Sequence, residues 1–459
     1  MVTRPNEFHE VHDLVGIGFG PSNLALAIAL EEHPANTPER PLRAAFFEQQ
    51  SCFGWHRNML LPSATMQISF LKDLATFRNP VSQYGFVPYL HATGRLVKFT
   101  NNQDFFPTRR EFHQYLEWAA ASFRHQVSYG SQVTAIRRAA APEHQGCLEV
   151  TARTQRGTRV AVARNVVLST GLVPRLPSGV VRDERVWHSS EFLARFDGAD
   201  AAGLRSVAVV GAGQSAAEIT AFFHDRLPHA QVHAILPSYG YSVADDTPFA
   251  NQVFDPGAVD EYHHGSDRTR EAFWHYHRNT NYSVVDAHVI RDLYQRTYTE
   301  EVEGAPRLHF LNLTRVREVK RAGDGTVVLL DSLLDGRPAE LGVDAIVFAT
   351  GYDALEPGRL LGDLDRHVRR DDRGLHRVAR DYRLVTAPEL TAGIYLQGGT
   401  EHTHGLSSAL LSNIAVRGGE IADSVVSGLP RREPPPAPGP SVADRLPTPV
   451  DVLAHGAVG

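Results

Sequence analysis

Residues 13–23 read DLVGIGFGPSN, and this stretch decides the fold because it gives a strand, a glycine turn and the start of a helix. A turn built on Gly18 and Gly20 lets the backbone approach a pyrophosphate, which then rests on the helix N-terminus. One turn of this kind is weak evidence, since the GxG pattern occurs by chance. A second copy, VAVVGAGQSA, follows at residues 207–216. Two correctly flanked copies indicate two dinucleotides bound face to face, the layout of a flavin enzyme reduced by a nicotinamide.

Two further stretches show how the chain passes between the nucleotide folds. Residues 165–171 (NVVLSTG) and 344–352 (DAIVFATGY) each read as a buried strand ending in a glycine. We expect both to carry the chain between domains at the cofactor edge, with the second domain inserted in the first. The prediction is therefore an α/β fold with two Rossmann-like dinucleotide-binding domains. Its boundaries are a loose leader at 1–10, an FAD-binding domain at 11–171 and 344–427, an NADPH-binding domain at 172–343, and a Pro-rich, disordered tail at 428–459.

An acidic residue after the second predicted strand supports FAD as the ligand of the first turn. Residues 44–47 (AAFF) predict that strand, and the carboxylate of Glu48 can hydrogen-bond ribose hydroxyls. The spacing of 28 residues (48 − 20) exceeds the usual value of about 20, which fits an intervening helix and loop. The third turn position is Asn23, so either the helix sits slightly differently or Asn23 donates to a phosphate. The predicted FAD contacts here are Gly18, Gly20, Pro21, Ser22, Asn23 and Glu48.

The second turn predicts a nicotinamide nucleotide but leaves its phosphate open. Gly211 and Gly213 form the turn, and the next predicted strand, residues 232–236, ends at Pro237 and Ser238. An acid at this strand end would select the free 2′-hydroxyl of NAD, and none is present. No arginine is present there either to bind the 2′-phosphate of NADPH. These residues therefore favour NADPH over NADH only because no acid repels that phosphate.

Composition narrows the class of protein. The chain has 459 residues, 42% of them hydrophobic, enough for two or three domains with cores. Its net charge is −6 without a sustained basic patch, so neither nucleic acid nor an anionic membrane is an expected partner. No run of about 18 apolar residues predicts a membrane span. Cys52 and Cys147 are the two cysteines, too far apart for a redox pair of a flavin disulfide reductase, and they favour a cytoplasmic setting.

Two local patterns have structural rather than catalytic interpretations. Residues 108–111 (TRRE) predict a capped helix start, followed by Phe112, Tyr115, Leu116 and Ala119 at helical spacing, which we assign to the core. The pairs His402/His404 and His263/His264 lack the third and fourth ligands that a metal site needs, so no metal is predicted.

Several stretches, in order from about residue 11 to 425, resemble the microbial amino-acid N-hydroxylating flavin monooxygenases. The resemblance is carried by WH at 55–56, MQISFLKDL at 66–74, RNP at 78–80, DDTPFAN at 245–251, NTNYSVVD at 279–286, FATGY at 348–352 and HGLSSALLS at 404–412. Within the family the chain is most similar to the ornithine-hydroxylating branch. The resemblance implies NADPH- and O2-dependent conversion of L-ornithine to N5-hydroxyornithine through a C4a-hydroperoxyflavin, for siderophores or related nonribosomal peptides. It also implies a homo-oligomer, either a dimer or a tetramer.

The same resemblance implies roles for individual residues. Lys72 would pair with the substrate α-carboxylate, and Asn251 and Asn281 would position the amino-acid backbone and the reacting amine. Ser412 would add a polar substrate contact, and Gln67 would lie near the reactive edge of the flavin. We assign Gln67 and Asn281 as the catalytic pair, with substrate segments in a mostly helical region at about 240–300. The remaining contacts implied are Trp55, His56, Ala409 and Leu410 for FAD, and Gln214, Ser215, Ser238, Tyr282, Thr350, Gly351 and Tyr352 for NADP.

Elementary chemistry agrees with an amide beside the amine. The attacking amine must be neutral, and a neighbouring carboxylate would raise its pKa, whereas the Asn281 amide would not. Three alternatives stay open at this point: hydroxylation of lysine or a diamine, oxygenation of a ketone or thioether, and a non-catalytic protein that only holds FAD and NADP. Lys72 argues against a diamine, which lacks the carboxylate that Lys72 would bind.

Overall fold

A computed structural model describes residues 10–323 and 325–430, and within them two largely parallel sheets each carry one of the glycine turns. The strands are β1 (His12–Ile17), β2 (Ala44–Phe47), β3 (Val127–Ser128), β4 (Gln132–Arg138), β5 (Leu148–Thr154), β6 (Gly157–Leu168), β7 (Leu172–Pro174), β8 (Val186–His188), β9 (Ser206–Val210), β10 (Gln231–Ile235), β11 (Leu308–Leu311), β12 (Thr314–Ala322), β13 (Gly325–Ser332), β14 (Pro338–Val343), β15 (Ala345–Phe348), β16 (Tyr352–Ala354) and β17 (Gly393–Leu396).

In each fold the glycine turn joins a strand directly to a helix, β1 to α1 and β9 to α6, and other helices follow one another in groups. They are α1 (Pro21–Glu31), α2 (Phe86–Ala92), α3 (Leu96–Asn102), α4 (Arg109–Ser122), α5 (Phe192–Gly198), α6 (Gln214–Arg226), α7 (Pro248–Asn251), α8 (Pro256–His264), α9 (Asp267–His277), α10 (Ala287–Glu303), α11 (Gly358–Leu361), α12 (Glu401–His404) and α13 (Ile414–Ser427).

The first sheet has a parallel part with β1 at its centre. Its order is β3-β2-β1-β6, and β17 adds to the far side of the second half of β6. The first half of β6 instead pairs with β5, and β5 with β4, in antiparallel fashion. Ile17, Phe47, Leu168 and Leu396 are aligned in register, so four parallel strands end at one edge. In such sheets ligands bind outside the carboxyl ends of the strands.

The second sheet is wholly parallel, in the order β11-β10-β9-β15-β8. Its strands are apolar and buried because helices such as α5 and α6 and the β12-β13-β14 meander pack on its faces. The architecture is thus α/β with two Rossmann-like folds, the second inserted in the first, and the predicted fold class is confirmed.

One predicted boundary needs correction. The return to the first domain was expected at residue 344, yet β15 (Ala345–Phe348) hydrogen-bonds between β9 and β8 and so belongs to the second sheet. The chain passes between the sheets at the antiparallel pair of β7 and β16. The sequence of a buried apolar strand indicates that it is a strand, but it does not encode which sheet the strand joins. The other domain boundaries remain predictions.

The predicted helical segments between 240 and 300 are present as α7, α8, α9 and the start of α10. The predicted cap is also present, because the Thr108 hydroxyl accepts a hydrogen bond from Glu111 N at 3.1 Å. Phe112, Tyr115, Leu116 and Ala119 are buried as expected. The leader at 1–10 and the tail at 428–459 lie, except for residues 10 and 428–430, outside the described residues. Within the described ranges, no helix is both long and apolar enough to cross a membrane.

Candidate active site

The first glycine turn forms an open cradle at the carboxyl edge of the first sheet. Gly18 has φ +84°, and a Cβ there would lie 2.2 Å from Ser169 O, so only glycine fits between the ends of β1 and β6. Gly20 is the N-cap of α1, and a Cβ there would meet no protein atom within 4 Å. Pro21 occupies the first helical position, where its missing N–H costs nothing. The helix N-terminus therefore faces open space of the kind a pyrophosphate needs.

Glu48 lies beside this cradle with only 6% of its surface exposed. Its Oε2 accepts a hydrogen bond from Phe19 N at 2.7 Å, and its Oε1 accepts one from Gln50 N at 2.7 Å. The carboxylate is thus fixed against the turn at the end of β2. A carboxylate keeps further acceptor sites after two such bonds, so Glu48 can still bind ribose hydroxyls.

Asn23 has a different role from the phosphate contact that we considered. Its Nδ2 donates to Gly18 O at 2.7 Å, and its Oδ1 accepts a hydrogen bond from Gln397 Nε2 at 3.0 Å. The side chain is fully buried. Both ends of the amide are engaged inside the protein, so Asn23 holds the turn and β17 together, and its assignment as a phosphate ligand is corrected.

Buried polar atoms near this edge lack partners among the described residues. They include Gln397 Oε1, Ser408 Oγ and both amide atoms of Asn413. Buried polar groups in folded proteins are almost always hydrogen-bonded, so unpaired ones call for a ligand or water. Together with the cradle at Gly20 and the acid at Glu48, they fit a large polar cofactor such as FAD. Leu410 is half-buried in this region, and the side chain of Ala409 lies outside what the structure describes.

Arg417 is a residue that the sequence interpretation missed. It is 2% exposed, and its guanidinium donates to Ser408 O at 2.7 Å and Ser407 O at 3.3 Å from α13. It also donates to Ser22 Oγ at 3.3 Å, at the start of α1. Arg417 thereby joins the HGLSSALLS loop to the first turn. A buried cation among carbonyl oxygens leaves no sequence signal, since the same arginine on an exposed helix face would read identically.

The second turn repeats the geometry of the first. Gly211 has φ +146°, and a Cβ there would lie 2.4 Å from Ala349 O at the end of β15. Gly213 caps α6, and Gln214 and Ser215 are its first two residues. Ser238 follows β10, and its hydroxyl donates to Gly240 O at 2.8 Å. The turn and Ser238 therefore lie at one carboxyl edge, where a nucleotide would bind.

Thr350, Gly351 and Tyr352 lie where the chain passes between the sheets. Arg175 Nη2 donates to Thr350 O at 2.9 Å, and Arg175 N donates to Gly351 O at 3.0 Å. The Tyr352 ring meets the His188 ring edge-on with centroids 5.1 Å apart. These contacts define the crossover, and a role of the three residues toward NADP remains a prediction.

Lys72 is a half-buried cation with its Nζ 5.8 Å from the centroid of the Phe254 ring. In the part of the chain that the structure describes, its Nζ forms no ion pair and no hydrogen bond. Burial lowers the pKa of Lys72, and the nearby Asp255 acts in the opposite direction. An unpaired, partly desolvated ammonium of this kind is a binding site for an anion.

The other predicted substrate residues gather around one apolar cluster. Phe254, Tyr282, Leu410 and Leu406 pack together, although they come from three distant segments. Asn251 lies three residues before Phe254, Asn281 directly before Tyr282, and Ser412 two residues after Leu410. The structure therefore brings together the segments that carry Asn251, Asn281 and Ser412, and Lys72 contacts the same cluster through Phe254.

The side chains of these residues differ in how they are engaged. Asn251 Nδ2 donates to Asp246 O at 2.7 Å. Among the described residues, the Asn281 amide and the Ser412 hydroxyl make no hydrogen bond. Tyr282 donates a short hydrogen bond from its hydroxyl to Glu401. Asn281 and Ser412 thus offer free polar groups, while Tyr282 fixes the segment that carries Asn281.

Trp55 and His56 lie in the first-domain segment between β2 and α2, and His56 is near Arg109, which pairs with Glu218 of the second fold. We call the gap between the two folds at this place the cleft. The rings of Trp55 and His56 meet edge-on, with centroids 4.7 Å apart. His56 has φ +47°, a left-handed conformation that is strained for a residue other than glycine and is common at functional sites. His56 is exposed, and desolvation by neighbouring protein atoms, with repulsion from Arg109, lowers the pKa of its ring. A neutral ring at a ligand-accessible position follows.

A chain of hydrogen bonds links the two nucleotide folds beside the second turn, and sequence patterns gave no sign of it. Gln67 Nε2 donates to Asp286 Oδ1 at 3.1 Å, and Gln214 Nε2 donates to Asp286 Oδ2 at 3.0 Å. Gln214 Nε2 also donates to Glu218 Oε1 at 3.0 Å. Glu218, 5% exposed, binds Arg109 through two hydrogen bonds of 2.8 and 2.9 Å. The network begins and ends on the first-domain side and crosses α6 in between.

Within residues 10–323 and 325–430, no three histidine, cysteine or acidic side chains are placed to hold a metal ion. A surface cavity of about 610 Å³, lined in part by Arg138, Cys147 and Glu389, lies at the amino ends of the first-sheet strands. The glycine turns are at the opposite ends of these strands. The cavity is therefore separate from the candidate active site.

Comparisons with known proteins agree with this arrangement. The family model described as L-lysine 6-monooxygenase/L-ornithine 5-monooxygenase matches residues 10–354. An ornithine N-hydroxylase of Kutzneria sp. 744, solved with reduced FAD, NADP+ and L-ornithine, is 59% identical, with 91% of this chain and 99% of the other covered and a TM-score of 0.88. The ornithine hydroxylase structure of Pseudomonas aeruginosa is 38% identical over 91% of this chain and 100% of the other, with a TM-score of 0.85. An L-ornithine N(5)-monooxygenase of Burkholderia cepacia is 39% identical over 86% of this chain and 90% of the relative.

Proposed function

The chain belongs to the L-lysine 6-monooxygenase/L-ornithine 5-monooxygenase family, and we propose that it hydroxylates the side-chain amine of L-ornithine with FAD, NADPH and O2. The relatives named above support ornithine as the substrate, because they are ornithine hydroxylases similar to this chain over most of its length. We further propose that the product, N5-hydroxyornithine, enters siderophore or related peptide biosynthesis.

The observation that carries the proposal is the unpaired Lys72 ammonium beside Phe254. An α-amino acid offers a carboxylate several bonds from its side-chain amine, and Lys72 can bind that carboxylate without taking part in the chemistry. Binding energy from this remote group orients the amine for reaction. A diamine has no carboxylate and gains nothing from Lys72.

The carboxylate end of the substrate needs a charged partner, whereas the amine end needs a neutral one. A free alkylammonium has a pKa of about 10.4, so near pH 7 only about one molecule in 2,500 is the neutral nucleophile. A carboxylate beside the amine would raise the amine pKa, whereas the Asn281 amide does not. The Asn281 amide, which has no hydrogen bond within the described residues, is therefore suited to hold the neutral amine.

The cofactors divide the remaining work. The cradle at Gly20 with Glu48 would hold FAD, and the turn at Gly213 with Ser238 would hold NADPH. When bound and reduced, the flavin supplies activated oxygen. The apolar cluster of Phe254, Tyr282 and Leu410 would exclude water from the reacting groups, which suppresses side reactions.

A substrate panel tests the proposal directly. Purified protein with FAD and NADPH is incubated with ornithine, lysine, putrescine or cadaverine, and hydroxylated product is quantified together with NADPH consumption. Ornithine should give the highest product yield, and lysine should fall behind because its extra methylene costs about 1–3 kcal/mol. Equal yields from putrescine and ornithine would refute the carboxylate role of Lys72. Product from lysine alone would move the assignment to the other substrate of the family.

The proposal also includes a cellular compartment and an oligomeric state. Cys52 and Cys147 are free thiols, which favours a reducing cytoplasmic compartment. A homo-oligomer remains a prediction, for which sedimentation of the FAD-loaded protein is the measurement.

A further inference from the structure

Asp286 stands at the N-cap of α10 but does not cap the helix. Aspartate is favoured at this position because its carboxylate accepts hydrogen bonds from the first free N–H groups of the helix. Here the side chain makes no such bond. Its two oxygens instead accept one hydrogen bond each from Gln67 and Gln214, which come from the two different nucleotide folds. The carboxylate is thus used to join two amides rather than to stabilise α10.

The chemistry of a carboxylate fixes how both amides point. An ionised carboxylate only accepts hydrogen bonds, so each glutamine must turn its NH2 group toward Asp286. Gln214 has no freedom left, since its Oε1 also accepts from Asp286 N at 2.9 Å and its Nε2 also donates to Glu218. Gln67 is held by Asp286 alone. Its Oε1 has no partner in the described ranges, and the residue is exposed.

We propose that Asp286 is a positioning residue that turns the Gln67 carbonyl oxygen toward the cleft as a hydrogen-bond acceptor and ties it to the N-terminus of α6. The inference rests on the proposed function, because the acceptor would serve an N–H donor in the cleft during amine hydroxylation. Through Gln214, the same carboxylate links this acceptor to the first turn of the helix that follows Gly213. Loss of the hydrogen bonds of Asp286 should therefore lower the yield of hydroxylated product more than it changes the KM for ornithine.

An isosteric substitution isolates the orientation. In Asp286→Asn the new oxygen can still accept from Gln214, but the new NH2 group faces Gln67, whose amide must then flip and present NH2 to the cleft. We expect hydroxylated product per NADPH to fall at least fivefold, while the KM for ornithine and the Kd for NADP+ change less than twofold. Asp286→Ala removes both links and should also raise the Kd for NADP+ of the oxidised, FAD-loaded protein, measured by equilibrium titration without turnover.

Exchanging the amide and the carboxylate between positions 67 and 286 should restore product yield. Gln67→Glu alone sets two carboxylates against each other and should also lower product yield. Combined with Asp286→Asn, the new carboxylate accepts from the new NH2 group and again presents an acceptor oxygen to the cleft. The double variant should recover at least half of the lost product yield. Asp292→Asn is the matched control, because Asp292 is an exposed carboxylate of the same helix that pairs with Arg296, and it should behave as wild type.

The outcomes separate the inference from the proposed function. A double variant no better than the poorer single variant overturns the positioning role, and so does an unchanged NADP+ Kd in Asp286→Ala. If the wild-type protein hydroxylates no amine but Asp286→Ala still weakens NADP+ binding, the proposed function fails while the link from Gln67 to the second turn stands. A uniform loss of thermal stability in both Asp286 variants, without a selective loss of product yield, would show a merely structural residue.

Discussion

Single residues in this cleft are used according to whether they already have partners. The side chains of Lys72 and Asn281 have no hydrogen-bond or ion-pair partner among the described residues, so we expect them to bind a ligand. Asn23 and Gln214 look equally available in the sequence but are saturated by internal hydrogen bonds. We therefore expect the number of free hydrogen-bonding positions, rather than residue type, to distinguish ligand contacts from structural contacts.

Lys72→Ala should raise the KM for ornithine roughly 10- to 100-fold, because a hydrogen bond to a charged group contributes about 1.5–3 kcal/mol. The rate of flavin reduction by NADPH should stay within twofold, since Lys72 lies on the substrate side. Steady-state and stopped-flow kinetics provide both numbers. Lys98→Ala, at an exposed lysine of α3, is the control, and an unchanged KM in Lys72→Ala would contradict the carboxylate assignment.

Asn281→Asp should move the pH optimum of hydroxylation upward. The new carboxylate would stabilise the substrate ammonium and raise its pKa, so a higher pH is needed for the same neutral fraction. The measurement is kcat for hydroxylated product between pH 6.5 and 9.5, with Asn281→Ala as comparison. A pH profile identical to wild type would remove Asn281 from the amine site.

His404 makes a separate contribution to acid stability. It is buried and stacked on Tyr382, and burial, with smaller effects of His263, Arg380 and Arg417 set against a hydrogen bond to Arg380 O, lowers its pKa to about 3. The unfolded chain protonates this histidine near pH 6.5, so stability is lost as the pH falls below that value toward 3. Between pH 7 and 5 the loss from this group is about 2 kcal/mol. His404→Gln should reduce the pH dependence of urea unfolding by that amount, whereas His91→Gln, at an exposed position, should leave it unchanged.

At the scale of elements, the loop before α13 depends on a helix that comes after it. Arg417 on α13 donates to the carbonyls of Ser407 and Ser408 and to the hydroxyl of Ser22 on α1. The loop that carries the predicted contacts Ala409, Leu410 and Ser412 is therefore held by a side chain of the following helix, and its own sequence does not specify this contact. Asn413, whose amide has no partner in the described part of the chain, adjoins the same loop.

Arg417→Met should weaken FAD binding about tenfold or more, because the Ser407 and Ser408 carbonyls lose a charged donor. The flavin-to-protein ratio after gel filtration and the Kd from FAD titration of the apoprotein measure this loss. Arg315→Met, at an exposed arginine on β12, is the control. Full flavin retention in Arg417→Met would show that the loop holds its shape without this arginine.

At the scale of the whole molecule, several contacts hold the two nucleotide folds together, and two of them involve charged side chains beside the second glycine turn. Gln67 and Asp286 form one of these two contacts, and the buried pair of Arg109 and Glu218 forms the second. Together with the β7–β16 crossover, these contacts join the two folds on either side of the site. A cleft between two domains is a common place for ligand binding.

Glu218→Gln should lower the free energy of unfolding by about 3–5 kcal/mol, since it leaves the Arg109 guanidinium buried without its counter-charge. Arg109→Met combined with Glu218→Met should recover part of the loss, because two apolar side chains remove the unpaired charge. Urea titrations of the three proteins give the comparison. Glu300→Gln is the comparison, because Glu300 is another partly buried carboxylate, paired with His224. It tests whether the loss of any such carboxylate lowers the free energy of unfolding as much.

The sequence predicted local features well. The two strand-turn-helix units, the second strand before Glu48, the cap at Thr108 and the buried face of α4 all occur where expected. Each is specified within about ten neighbouring residues, by glycine conformations, capping and periodicity. The resemblance to a known family added the substrate residues, and the structure brings the segments that carry them together around the Phe254 cluster.

What only the tertiary structure decided are the partners of residues far apart in the chain. It placed β15 in the second sheet, engaged Asn23 internally, buried Arg417 behind the loop, and joined Gln67, Asp286 and Gln214. The physical reason is that a hydrogen-bonding group has the same chemistry at every position in the sequence, and only folding determines which other group lies within about 3 Å of it. The sequence by itself therefore determined two nucleotide turns and a set of candidate residues, and the folded chain determined which of those residues remain free to bind and react.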